Sequence, residues 1–171
     1  MEGLISEQEL KAAARTLLDL CRESKLTIAA AESCTGGLVA ATLTEIPGSS
    51  DVFDRGFVTY SNDAKHAMLG VPLDVLAKFG AVSRESAEAM ARGALDHSPA
   101  DLAVAITGIA GPGGALPGKP VGLVHFAVAA RDGRLNHAER RFGDSGRAEV
   151  RRASVAQALA MLRELALVQP A

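Results

Sequence analysis

Two short segments carry side chains that can do chemistry together. The first is Ala31-Glu32-Ser33-Cys34-Thr35-Gly36-Gly37, a hydroxyl- and thiol-bearing turn between an apolar run and a segment of helical periodicity. A strand-to-helix turn of this kind gathers backbone N–H groups at a helix start. That suits an anion, whether a bound phosphate or an oxyanion forming in acyl transfer. Ser33 reads either as a nucleophile or as an ordinary N-cap. Cys34 is a rival nucleophile whose thiol pKa would fall at a helix start; the alternative is a small buried hydrophobe. Thr35 is a second candidate N-cap. Gly36 and Gly37 weaken a helix, which calls for close backbone approach to a ligand or tight packing on a sheet.

The second segment is Tyr60-Ser61-Asn62-Asp63-Ala64-Lys65. Tyr60 is the only tyrosine of the chain. It stands where a strand gives way to a helix, the place where open α/β sheets bind ligands. Lys65 follows about one helical turn later, so both side chains can face one pocket from the same corner. The plain alternatives are a solvated amine and a core phenol with its hydroxyl at the surface. A further loop, Gly108-Ile109-Ala110-Gly111-Pro112-Gly113-Gly114, ends a buried strand and makes a natural pocket wall. It is neither a Walker loop nor a dinucleotide fingerprint, because Gly118-Lys119 is followed by Pro120 and the spacing fails. The four histidines are dispersed. His125 reads as a strand residue satisfied within the core; His66, His97 and His137 sit among polar neighbours, and no pair has zinc spacing. Arg147, Arg151 and Arg152 open the last helix, as a solvated face or as a phosphate clamp.

These groups need elements to hold them. Ser6 to Glu23 reads as an amphipathic helix with a Ser6–Glu9 capping box. Leu26 to Ala31 reads as a buried strand, Gly36 to Glu45 as a helix broken by Pro47-Gly48, and Gly56 to Tyr60 as a short strand. Ser61 caps a third helix. Pro72 to Lys78 is a short helix with Pro near its first position, and Ser83 to His97 another amphipathic one. Leu102 to Thr107 and Val121 to Ala130 are apolar strands. Arg131-Asp132-Gly133-Arg134 turns into a polar strand near Asn136 to Phe142, and a last helix runs from about Ala148 to Leu167. The alternation predicts an α/β fold, a three-layer α/β/α sandwich. Its sheet is mixed and mostly parallel, with about five strands and one antiparallel strand from the hairpin.

The 171 residues favour one domain spanning 1–171. Apolar residues make up 48% and charged ones 22%, as in soluble globular proteins. A net charge of −2 gives no electrostatic case for nucleic acid or an anionic membrane, and aromatic residues at 4% leave few stacking platforms for bases. No apolar run is long enough to span a bilayer. The start, Met1-Glu2-Gly3-Leu4, is unlike a signal peptide. Cys21 and Cys34 form no metal or disulfide pattern and read as free thiols of a cytoplasmic protein.

Four segments in order, the Ser33 turn, Gly56 to Lys65, Gly80-Ala81-Val82-Ser83 and Gly108 to Pro112, resemble the CinA C-terminal domain family, which includes the nicotinamide mononucleotide deamidases. The likeness runs from about Ser6 to Leu167. Longer members carry an extra N-terminal pyrophosphatase domain, and this chain resembles the stand-alone deamidase. The resemblance implies a serine amidohydrolase using Ser, Tyr and Lys in place of a histidine triad. By motif position Ser33 is the nucleophile and Lys65 the general base, with Tyr60 orienting or relaying the proton. Such an amine acts only when neutral, so its pKa must drop from about 10.4 toward 7–8.

The expected substrate contacts are Thr35, Gly36 and Gly37, together with Gly108, Ile109, Ala110 and Gly111. The phosphate falls to residues 108–111 or to the arginines near Arg151. The expected substrate is nicotinamide mononucleotide, a small molecule, with no metal, no cofactor, no nucleic acid and no membrane partner. The resemblance also suggests a homodimer. The rival expectation is a non-catalytic nucleotide-binding or protein-interaction module linked to competence or DNA damage.

Overall fold

The computed structural model describes residues 4–168 and 170; the Met1–Gly3 part of the polar start lies outside them. Among these residues six α-helices and five strands follow in the order α1 (Glu7–Ser24), β1 (Ile28–Glu32), α2 (Leu38–Thr44), β2 (Phe53–Val58), α3 (Asn62–Leu69), α4 (Leu73–Phe79), α5 (Arg84–Asp96), β3 (Leu102–Gly108), β4 (Leu123–Ala130), β5 (Leu135–Arg141) and α6 (Arg147–Leu167), with a 3-10 turn at Ser49–Asp51 ahead of β2. The strands form one sheet of order β2-β1-β3-β4-β5. β1 lies parallel to both β2 and β3, whereas β4 runs antiparallel to β3 and β5. One strand of the five therefore opposes the rest, and the ladders divide evenly between parallel and antiparallel.

Period-two alternation assigns the two faces different chemistry. Ile28, Ala30, Val104, Ile106, Val124, Phe126 and Val128 project toward α1, α2 and α6 and build the larger core with Leu17, Leu18, Leu43 and Leu162. Burying a side chain such as Phe126 stabilises the fold by about 1.5–3 kcal/mol. The opposite face is floored by Ala29, Ala31, Ala103, Ala105, Ala127 and Ala129 and covered by α5, with Leu69 and Leu76 of α3 and α4 alongside. Methyl groups alone let α5 ride close to the sheet. α3 in turn is locked onto α5 at Gly93, where a Cβ would stand 2.0 Å from the Leu69 carbonyl oxygen.

Element ends differ from the sequence reading for local reasons. α2 starts at Leu38 instead of Gly36, because Gly36 and Gly37 take φ of +58° and +99° and keep the turn out of the helix. β2 starts at Phe53 and stops at Val58, since its partner β1 spans only Ile28–Glu32 and the register pairs Ile28 with Phe53 and Glu32 with Val58. Pro72 is the N-cap of α4 and not its first helical residue. The Ser6–Glu9 capping box is formed, and Ser61 and Ser83 cap α3 and α5.

Two of the dispersed histidines are brought together. His125 Nδ1 of β4 and His137 Nε2 of β5 stand 2.9 Å apart, with the rings stacked. Burial, then the neighbouring His137, pushes the His125 pKa down; burial, then Arg84, pushes His137 down. Glu139, Glu85, Glu88 and Lys119 also face the pair, the carboxylates pulling the other way. Folded-state pKa values below the ordinary 6.5 mean that the unfolded chain takes up protons first as pH falls. Stability is thus expected to be full above pH 6.5 and to drop below it. Thermal melts between pH 7 and 5 check this: His137→Gln should flatten the dependence, and an unchanged slope would refute it.

Candidate active site

β1, β2 and β3 are parallel, so their carboxyl ends open on one side of the sheet. Ser33 follows β1, Thr59 and Tyr60 follow β2, and Gly108 closes β3. The Ser33 N–H donates to the Ile106 carbonyl at 3.0 Å, which pins the turn to β3. Strand alternation sends the Glu32 side chain toward α2 and that of Ser33 to the other side of the sheet. There α3 presents Lys65, on its first turn after the Ser61 cap, whose hydroxyl accepts from Ala64 N–H at 3.0 Å.

Lys65 is 1% exposed, the largest fully buried side chain of the core. Its Nζ lies 2.9 Å from Ser33 Oγ and donates to the Thr59 carbonyl at 2.8 Å. No carboxylate pairs with it among the described residues. Burial without a counter-charge lowers its pKa from 10.5 to about 8, against a small opposing effect of Cys34. At pH 7 about one amine in ten is then neutral and able to accept a proton.

Cys34 is the small buried residue of its plain reading and not an acidified nucleophile. Burial pushes its thiol up to about 12, with Glu32 adding to the shift, and Lys65 and Arg151 do not offset it. The helix start that was to acidify it lies further along the chain. The amides at that start are already engaged: Glu32, only 1% exposed, accepts from Val39 N–H at 2.9 Å and Ala40 N–H at 3.1 Å. The anion that this helix start holds is the chain's own carboxylate, so an external phosphate or oxyanion must find other donors.

A cavity of about 290 Å³ joins Ser33, Cys34, Tyr60, Lys65, Thr107, Gly108, Ile109, Ala110, Gly111 and Arg147. Tyr60 is 62% exposed, and its hydroxyl accepts from Arg147 Nη2 at 2.7 Å instead of touching Lys65 or Ser33. Arg147 Nη1 donates to the Gly111 carbonyl at 2.9 Å, tying the glycine-rich loop to the start of α6. Thr35, Gly36 and Gly37 do not line this cavity. Thr35 is fully buried, and its carbonyl accepts from Arg151 Nη2 at 2.9 Å. Arg151 and Arg152 border a separate groove with Lys11, Thr42 and Glu45. Of the three arginines, Arg147 alone reaches the Ser33 cavity.

Sequence reasoning gave no role to Glu32, Thr59 or Thr107, whose hydroxyl donates to the Ala81 carbonyl at 2.8 Å. No local signal marked any of the three, and the Ser33 and Thr35 caps offered for α2 are not made, its N-cap being Gly37. No group of three or more His, Cys, Asp or Glu among the described residues is arranged to hold a metal ion.

A family model described as the CinA C-terminal domain matches residues 10–166. A CinA-like protein of Synechococcus sp. (strain RCC307) is 52% identical over 151 residues, 88% of this chain and 36% of that protein. One of Geobacter metallireducens is 57% identical over 118 residues, 69% of this chain and 29% of that protein. The chain thus spans about a third of the length of the curated relatives it matches. The crystal structure of competence/damage inducible protein CihA from Agrobacterium tumefaciens is 54% identical, with a TM-score of 0.91 over 96% of this chain and 99% of that one. A CinA superfamily protein from Escherichia coli gives a TM-score of 0.88 at 32% identity, over 97% of this chain and 94% of that one. Matched along nearly its whole length in sequence and in shape, the chain belongs to the CinA C-terminal domain family.

Proposed function

We propose that this protein hydrolyses the carboxamide of nicotinamide mononucleotide, giving nicotinate mononucleotide and ammonia through an acyl-enzyme on Ser33. The observation that carries the reading is the 2.9 Å contact between Ser33 Oγ and a buried amine whose pKa is drawn down to about 8. In the first half-reaction neutral Lys65 takes the Ser33 proton as Oγ attacks the carbonyl carbon. The same proton passes to the amide nitrogen, the C–N bond breaks and ammonia leaves. In the second half, water attacks the ester carbonyl while Lys65 takes its proton. The proton returns to Oγ as the acyl–oxygen bond breaks and the carboxylate departs.

The Thr59 carbonyl holds Nζ toward Ser33 throughout. Tyr60 borders the same cavity from the Arg147 side and orients the substrate or relays a proton there. Among the described residues Arg147 is the one cation lining the cavity besides Lys65, and its forked guanidinium suits a phosphate.

The test is to incubate the protein with nicotinamide mononucleotide and measure ammonia and nicotinate mononucleotide. Release above the Ser33→Ala background is expected, and none would overturn the reading. Arg147→Ala should raise KM for the mononucleotide about 10- to 100-fold, a loss typical of one charged hydrogen-bonded contact. For the phosphate-free riboside it should change KM little. Equal effects on both substrates would remove the phosphate role.

A further inference from the structure

We infer that Glu32 is a positioning residue for the nucleophile and the base together, an inference that rests on the Ser33–Lys65 reading. Its carboxylate spans the catalytic turn. It belongs to the residue before Ser33, and its two oxygens accept separately from Val39 and Ala40, beyond Gly37. α2 brings no side-chain cap of its own, since its N-cap is Gly37. The buried carboxylate therefore supplies both the missing cap and the charge that suits a helix N-terminus.

The backbone of the same residue reaches the base. The Glu32 carbonyl accepts from Thr59 N–H at 2.8 Å, and the Thr59 carbonyl accepts from Lys65 Nζ at 2.8 Å. Lys65 then meets Ser33 Oγ at 2.9 Å, and the peptide bond back to Glu32 closes the ring. Glu32 thus stands where the backbone of the turn carrying the alcohol is tied to the strand end anchoring the amine. A shift of about 1 Å in such an arrangement costs on the order of 10²-fold in rate.

Glu32→Gln tests this. The glutamine keeps the shape, but its one carbonyl oxygen accepts a single N–H, and its NH₂ group faces the other donor. Two rates are read on protein shown to be folded by circular dichroism: turnover of nicotinamide mononucleotide, and labelling of Ser33 by a fluorophosphonate, followed by mass spectrometry. The expectation is a kcat about 10- to 100-fold lower at unchanged KM, with labelling slowed in proportion. A purely structural role would lower the melting temperature and leave both rates of the folded protein alone. Wild-type rates in folded Glu32→Gln overturn the inference.

Should Glu32→Gln not fold, Glu32→Asp decides. Its carboxylate is one methylene short of the two amides, so slowed labelling in a folded protein supports the role and a wild-type rate refutes it. If the wild type labels at Ser33 but releases no ammonia, the substrate reading fails while the labelling ratio still judges Glu32. If the wild type does neither, both fall.

Discussion

Lys65→Met is expected to lower kcat at least about 10³-fold while leaving the protein folded. General-base catalysis contributes about 10²- to 10⁴-fold, and the proposed base is the amine 2.9 Å from the alcohol. Methionine fills nearly the same buried volume without a charge to desolvate. The depression of the lysine from 10.5 to about 8 costs the wild type about 3 kcal/mol at neutral pH. Removing that cost is enough to offset the penalty for leaving the Thr59 carbonyl unpartnered, about 1–3 kcal/mol.

The sign with pH is fixed by the direction of the shift. The folded amine holds its proton less tightly than the unfolded one, so the burial cost is full below pH 8. It fades as pH rises to 10.5. Wild-type stability should therefore gain over that window relative to Lys65→Met, when both are followed by denaturant titration. Activity should climb tenfold per unit of pH up to a midpoint near 8. A folded Lys65→Met protein with wild-type turnover would dispose of the base.

Ser33→Ala should reduce turnover by about 10⁴-fold or more, to the background of the ammonia assay. The loss separates the two nucleophiles of the turn. A thiol route through Cys34 would survive it, whereas an acyl-serine cannot. The buried Cys34 thiol, pushed up to about 12, stays protonated at any physiological pH. The alanine leaves the turn's tie to Ile106 in place, because that bond uses the Ser33 backbone N–H. Mass spectrometry of the protein quenched during turnover should find the acyl adduct on the peptide containing Ser33 and none on Ser33→Ala.

The fold was legible wherever neighbours in sequence decide the structure. Ser6 with Glu9, Ser61 and Ser83 announce helix starts, because each cap is made within three residues. The Arg131–Arg134 turn announces the β4–β5 hairpin for the same reason. What escaped is set by distant partners. Nothing local in Glu32 tells that its oxygens will meet the amides of Val39 and Ala40, or in His125 that a ring twelve residues on will stack against it. Arg147 and Tyr60 are 87 residues apart, and only the packing of α6 against the sheet makes them neighbours. The order β2-β1-β3 was equally silent in the sequence, although it is what gathers Ser33, Thr59 and Gly108 at one end. The Ser33–Lys65 pairing came from family likeness, since spacing alone left the lysine free to be a surface amine.

The alanine-floored face of the sheet bears on how the protein tolerates change. Ala31, Ala103 and Ala105 act as shims of minimum thickness beneath α5, and α5 is the bed on which α3 is keyed through Gly93. Thickening any shim by two methyl groups would jack up that bed and carry the lysine with it, away from an alcohol anchored to the sheet itself. The interatomic gap on which proton transfer depends is thus gauged by residues bearing no functional group. The proposed reaction should therefore suffer from substitutions as mild as alanine to valine on the side of the sheet farthest from the large core.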